Sequence, residues 1–408
     1  MDGINAGDTA WVLMSAALVM IMTPALGFFY GGLVRRKNVL STLMHSFFTF
    51  CLVSVIWVLW GYSLAFGDDR GGLIGSLEHF ALRGIGPGAG PYASNIPEMA
   101  FVAFQMMFAC ITPALITGAF AERKSFKAYI LFTAAWVTFV YAPLCHWVWG
   151  GGWIGQMGAL DFAGGTVIHI SSGVAAVVAA RMLGQRRDFG TPETDPHDLT
   201  MTVLGASLLW FGWFGFNAGS ALSAGSLAAH ALVVTNVAAA VGGITWLMAS
   251  WWRHGRPSVL GAACGAVAGL VGITPAAGFV TPSAAIAIGF GAGLLCFFAV
   301  DLLKHVIKLD DALDVFAVHG VGGIWGALAT GIFATTAVNS AGKDGLLAGN
   351  LQLLGIQLIA VLAAIAFSAI VTFLILKAID AAVGLRVVEE DEVLGLDTSQ
   401  HGELAYRL

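Results

Sequence analysis

The sequence predicts an all-α membrane protein of about eleven transmembrane helices. Of its 408 residues, 58% are hydrophobic and only 11% charged, outside the range of ordinary soluble domains. The charges fall in short runs separated by apolar stretches of about 20 residues, the length that crosses a hydrocarbon core. Most of the surface is therefore expected to face lipid, and the net charge of -5 says little about partners. There is no basic domain, finger or helix-turn-helix motif, so no nucleic-acid partner is expected.

The apolar runs place spans near 10–34, 39–66, 98–120, 128–149, 162–183, 199–217, 226–252, 258–277, 280–303, 314–337 and 350–380. The first ten residues, MDGINAGDTA, lack the basic n-region of a cleavable signal. The breaks at Arg35–Lys37, Arg123–Lys127, Arg181–Arg187, Arg253–Arg256 and Lys304–Lys308, with Lys377, Arg386 and Arg407, hold 16 of the 19 basic residues. Only Arg70, Arg83 and Lys343 lie in the opposite loops. The positive-inside rule then puts the N-terminus outside and the tail in the cytoplasm. Residues 1–380 read as one transmembrane domain and 381–408 as a cytoplasmic tail. The acidic run Glu389–Glu392 in that tail reads by composition as a solvated face. The longest outer loop, GDDRGGLIGSLEHFALRGIGPGAGP, reads as irregular apart from a short helical turn.

Spans one and six share apolar-aromatic segments with glycine at i, i+4, and spans five and ten each carry one histidine. That weak similarity suggests a 5+5 inverted pseudo-repeat plus one extra helix. Glycines also recur at four-residue spacing at Gly261, Gly265, Gly269 and at Gly322, Gly326. Small residues on one helical face let helices approach closely, so a tight bundle with a narrow interior is expected. The five cysteines lack metal or redox spacing and read as small buried hydrophobes. No cofactor or metal is expected.

His169 and His319 are the residues that ask for a function. An ionisable side chain in a spanning helix is expensive and by default marks an ion or proton pathway. Each lies in a glycine-rich apolar segment behind an aspartate, Asp161 or Asp314, that can cap its helix. Asp161, near the outer mouth, could also make that mouth attractive to cations. Two facing imidazoles can fix each other's tautomers and each offer a second nitrogen to a small permeant. His45, His146 and His230 lie near span ends and His79, His197, His254, His305 and His401 in loops or tails, so interfacial or solvated roles are expected of them. Phe104, Phe108, Trp149, Phe216 and Ser220 all fall at the outer ends of their spans. Ring faces beside a hydroxyl suit a small cation that donates hydrogen bonds, although interfacial aromatic belts place the same residue types there.

The stretches FFYGGLVRRKN, FACITPALITGAFAER, HWVWGGGW, GALDFAGGTVIH, WFGFNAGSA, GAVAGLVGITPAAG and DVFAVHGVGGIWG run nearly end to end through the chain. With the tail GLRV..E...GLD...HGE.AY they make it resemble bacterial ammonium transporters of the Amt/Mep/Rh family. The resemblance implies an outer recruitment site at Phe104, Phe108, Trp149 and Ser220 and a stacked phenyl gate at Phe108 and Phe216. It further implies a twin-histidine pore at His169 and His319, with Asp161 as a structural aspartate beside the recruitment site. Ammonium, or its analogue methylammonium, would be the substrate, in a homotrimer of the cytoplasmic membrane. A trimeric PII-type regulator would dock at the cytoplasmic face. The same fold also serves as the ammonium-sensing module of membrane signalling proteins, a reading that a signalling domain following Leu408 would favour. An intramembrane enzyme is disfavoured, because no HExxH, GxSxG or carboxylate cluster is present. Two histidines are also too few for a catalytic zinc site.

Overall fold

The computed structural model describes residues 3–191 and 195–406. Its long helices are α1 Ala6–Leu33, α2 Arg36–Phe66, α3 Glu98–Phe120, α4 Phe126–Met157, α5 Gly165–Leu183, α6 Leu199–Ala218, α7 Ser226–His254, α8 Val259–Ile273, α9 Pro282–Ile307, α10 Phe316–Phe333 and α11 Leu351–Val383. Among the described residues, ten are long and apolar enough to cross a membrane. The shorter α8, of 15 residues, fills the stretch expected to form the eighth span. The chain is thus a largely helical, multi-spanning membrane bundle.

Polar residues at the span edges start many of these helices. Asn5, Ser125, Asp198, Ser258, Thr281 and Asn350 each accept a hydrogen bond from a backbone N–H of the first turn, satisfying donors that lipid cannot. In the bundle α1 packs along α6, α7 against α8 and α9, and α11 against α5 and α10. A close crossing joins α5 to α10. A Cβ on Gly173 would lie 2.3 Å from the Gly320 nitrogen, and one on Gly323 would lie 3.0 Å from Cβ of His169. Only glycine at these positions lets the two histidine-bearing helices meet.

One end of the bundle, the loop face, carries residues 67–97. They are more ordered than their Gly and Pro content suggests. Strands β1 Asp69–Arg70 and β2 Ile74–Gly75 pair antiparallel, as do β3 Ala89–Gly90 and β4 Ala93–Pro97. Gly71 and Gly72, at φ +69° and +77°, turn the first hairpin in the region that favours glycine. The sequence marks the turn, but strands this short leave no periodic signal.

The opposite end, the tail face, holds a buried ion-pair network. Glu122 accepts bonds from the Arg35 nitrogen (2.7 Å), Arg35 Nε (3.0 Å), Asn38 Nδ2 (2.9 Å) and Arg186 Nη1 (2.9 Å). Arg186 also grips Asp310 through Nε and Nη2. The tail docks beside this network through α12 Glu389–Leu394 and α13 Leu396–His401. Asp397 accepts the Leu40 and Ser41 amides at 3.1 and 2.8 Å, and Glu392 is buried against Arg386. The acidic run is therefore only partly a solvated face: Glu389 and Glu390 are exposed, but Glu392 is not. Of the cysteines, Cys51 is exposed and Cys264 half-buried, and the other three are buried.

Candidate functional site

The residues expected to line the pore sit on helical turns that are locally widened. Segments Gly165–Ile170, Phe214–Ala218 and Phe316–Val321 are π-helical and carry His169, Phe216 and His319 respectively. Such turns are costly and recur at functional sites. Asp161 stabilises the first of them. Its carboxylate accepts the amides of Gly164 (2.8 Å), Gly165 (2.7 Å), Thr166 (2.8 Å) and Val167 (3.2 Å). With both oxygens so engaged, Asp161 acts as a helix cap and has little left to offer a cation.

At the second histidine helix the cap is not the one the sequence suggests. Asp314 stands at φ +60° and pairs with Lys304 Nζ at 2.7 Å. Asp311 caps instead, accepting the Phe316 amide at 2.7 Å. Asp161 and Asp311 each precede their histidine by eight residues, a correspondence the aromatic landmarks hide. Asp311 Oδ1 is buried and lacks a partner, so the two caps are unequal.

On the loop face, Phe104, Phe108, Trp149 and Ser220 line one cavity of about 280 Å³ together with Tyr92, Phe101 and Gln105. The Phe104 and Phe108 rings meet edge to face at 4.8 Å, and Trp149 stands 6.2 Å from Phe108. Trp149 is held by its Nε1–H bond to the Asp161 carbonyl (2.8 Å). Ser220 donates its hydroxyl proton to the Phe216 carbonyl (2.8 Å), which leaves its lone pairs free to accept. Phe108, which lines this cavity, packs on Phe216 with ring centroids 4.5 Å apart.

Beyond that stack lies a second cavity of about 300 Å³, lined by Phe216, Trp213, His169, His319 and apolar side chains, and reaching Arg186 and Lys304 on the tail face. Here the two histidines meet. Their Nδ1 atoms are 3.2 Å apart and their rings nearly parallel, at 20°. His169 also stacks on Trp213, whose indole N–H is anchored on Thr274. One Nδ1 must donate and the other accept, which fixes opposite tautomers. One Nε2 is then an acceptor and the other a donor. His169 Nε2 is buried and has no partner.

The Ammonium Transporter Family model matches residues 10–406. The chain belongs to this family. Among curated relatives it is 54% identical to an ammonium transporter of Bacillus subtilis over 99% of both chains. It is 50% identical to the Amt1 transporter of Archaeoglobus fulgidus over 99% of this chain and 100% of the relative. In structure it is similar to Mep2 of Saccharomyces cerevisiae, with a TM-score of 0.91 and 38% identity over 100% of this chain and 92% of the other. A sensor Amt protein is similar too, at TM-score 0.90 and 31% identity over 97% and 98% of the two chains.

Sequence reasoning overlooked two groups in this transporter. Gln105 lines the loop-face cavity with a buried Oε1 that has no partner. A lone amide inside AFQMMFACIT was the available signal. Asp311 was hidden by its neighbours Asp310 and Asp314. Nor are all the remaining histidines interfacial or solvated: His45 and His146 are buried.

Proposed function

We propose that this transporter carries ammonium inward by separating it into ammonia and a proton at the Phe108–Phe216 stack. The loop face lies outside, because among the described residues 15 of the 18 lysines and arginines sit at the other end. Ammonium is captured in the outer cavity, where the faces of Trp149, Phe104 and Phe108 attract the charge and the Ser220 lone pairs accept an N–H bond. Potassium has a similar size and charge but donates no hydrogen bond, so it gains less. Past the stacked rings a full charge would enter an apolar lumen, at a cost of several kcal/mol, on the order of 5. Deprotonation before the stack avoids that cost.

The single observation that carries the mechanism is the His169–His319 contact behind closed phenyl rings. Its opposite tautomers present one acceptor and one donor nitrogen, which match the N–H bonds and lone pair of neutral ammonia. The twin-helix arrangement supports an inverted 5+5 repeat with α11 outside it, and the family implies a homotrimer in the cytoplasmic membrane. A PII-type regulator would meet the tail face, where the described tail residues, 381–406, are docked. Uptake of labelled methylammonium into proteoliposomes tests the reading: His169→Ala is expected to abolish or deregulate uptake. Wild-type flux and wild-type discrimination against potassium in that variant would overturn it. The similarity to a sensor Amt protein favours one second reading, an ammonium receptor with little flux. Ligand binding without any uptake or current after an ammonium pulse would select it.

A further inference from the structure

His146 is fully buried three residues before Trp149, and both of its ring nitrogens point at acceptors. Nδ1 lies 2.9 Å from the carbonyl oxygen of Ala65 near the end of α2, and Nε2 lies 2.8 Å from Oδ1 of Asp69 in β1. Carbonyl and carboxylate oxygens only accept, and a neutral imidazole has a single N–H. Both bonds form only when the ring carries two protons, with the Asp69 carboxylate balancing its charge. The Asp69 carboxyl is held below its ordinary range, first by the bond to His146.

The contact is placed to act on the capture cavity. The His146 carbonyl accepts the amides of Gly150 (3.0 Å) and Gly152 (2.9 Å) and so shapes the turn that carries Trp149. The hairpin closed by Asp69, which also accepts the Gly72 amide, grips the same stretch from above. Trp147 Nε1–H donates to the Leu73 carbonyl (2.7 Å), and the Trp153 amide donates to the Gly72 carbonyl (3.1 Å). Tyr92, which lines the cavity, donates to the Phe66 and Gly150 carbonyls.

We propose that doubly protonated His146 is a clasp between the first loop hairpin and the Trp149 turn, and that its loss of a proton to the outer solution loosens the capture cavity. This rests on reading the Trp149 cavity as the capture site. The Asp69 side chain is 38% exposed and gives the Nε2 proton a way out. When it leaves, a lone pair faces the carboxylate and one of the two bonds is lost. The other titratable or charged groups around the ring and the hairpin include Asp68, Arg70, Glu78, His79, Tyr92 and Cys145. Asp68 and Glu78 are carboxylates, and tyrosine and cysteine are neutral, across most of the range in which histidine titrates, about pH 5 to 8. His79 is the other imidazole there. It lies on the loop, 3.6 Å from Glu78, so it supplies the control.

The decisive variant is Asp69→Asn. Its amide can donate to the Nε2 lone pair while Nδ1–H still donates to Ala65, so both contacts survive with one ring proton. Hydrogen exchange of peptides covering residues 67–76 and 147–153 is measured on the full chain in liposomes across outer pH about 5.5 to 8.5, corrected for intrinsic exchange. Methylammonium KM is measured alongside. In the wild type, protection is expected to fall and KM to rise roughly fivefold as pH increases, the weight of one hydrogen bond. Asp69→Asn is expected to hold both flat, and His79→Gln to keep the wild-type profile. An Asp69→Asn profile that matches the wild type overturns the clasp, as does a His79→Gln variant that abolishes the pH dependence. A pH-dependent exchange profile with a flat KM leaves the clasp standing and overturns its link to capture at Trp149.

Discussion

Single side chains here carry roles that differ because their hydrogen bonds are filled differently. Asp161 spends its carboxylate on four amides at the start of α5. Asp161→Ala strands those donors in a dry site, so a loss of about 3 kcal/mol or more is expected. The check is the melting temperature of the purified protein. Asp311 holds the matching position before His319 but keeps one oxygen unpartnered. Burial, followed by the charge of Asp314, pushes its carboxyl up to about 7. The folded protein then binds a proton that the unfolded chain releases near 3.8, so stability falls as pH rises through that window. Asp311→Asn removes the penalty. Its melting temperature should match the wild type near pH 4 and exceed it increasingly up to about pH 7, an advantage of at most about 4 kcal/mol. A constant offset at all pH values would refute this. Trp149→Leu keeps apolar bulk and removes the ring face, which should cost about 1 kcal/mol of capture, or roughly fivefold in methylammonium KM. His169, His319 and Trp149 were legible in the sequence because polar or aromatic groups stand out in apolar spans. Asp311 was not, because its role depends on which amide it reaches and the sequence offers three aspartates within five positions.

At the scale of helices, α5 and α10 meet backbone to backbone at Gly173 and Gly320, which brings their histidines together. Any Cβ at Gly173 would come within 2.3 Å of the Gly320 backbone, which makes Gly173→Ala a direct test. The helices must separate, and the 3.2 Å contact between the imidazoles must open with them. A destabilisation of about 1–3 kcal/mol is expected, with a large drop in methylammonium uptake. Wild-type uptake in this variant would show that the histidine contact is dispensable. Spans and glycine-lined faces were readable from the sequence, since lipid forces long apolar runs and close helix contacts need small residues. The π-helical turns under His169, Phe216 and His319 were not. They arise from packing and capping contacts and leave no mark on periodicity.

Across the whole molecule, the tail face is where the C-terminal segment and the loops are tied together, and Glu122 is its centre. Burial pushes this carboxyl up, but Arg186 and Arg35, with bonds from the Arg35 amide and Asn38, bring it down to about 2. Basic residues from which the positive-inside rule predicts orientation thus also hold the fold, which composition alone does not say, because ion pairs between distant breaks in the chain carry no local pattern. Glu122→Gln should retain the bonds from Arg35 and Asn38 but leave Arg186 one carboxylate short. Removing one partner of a buried pair is costly, so a loss of about 3 kcal/mol is expected at neutral pH. The sign of the pH effect follows from the lowered value. The contribution of Glu122 is complete above its unfolded value of 4.5 and fades as pH falls toward about 2. Hydrogen exchange in the segments around Arg35, Glu122 and Arg186, corrected for intrinsic exchange, should therefore lose protection on acidification through this window in the wild type. In Glu122→Gln those segments should exchange fast already at pH 7, with little further change on acidification. If the variant exchanges like the wild type at pH 7, the network is ornamental and the loops are held by apolar packing alone.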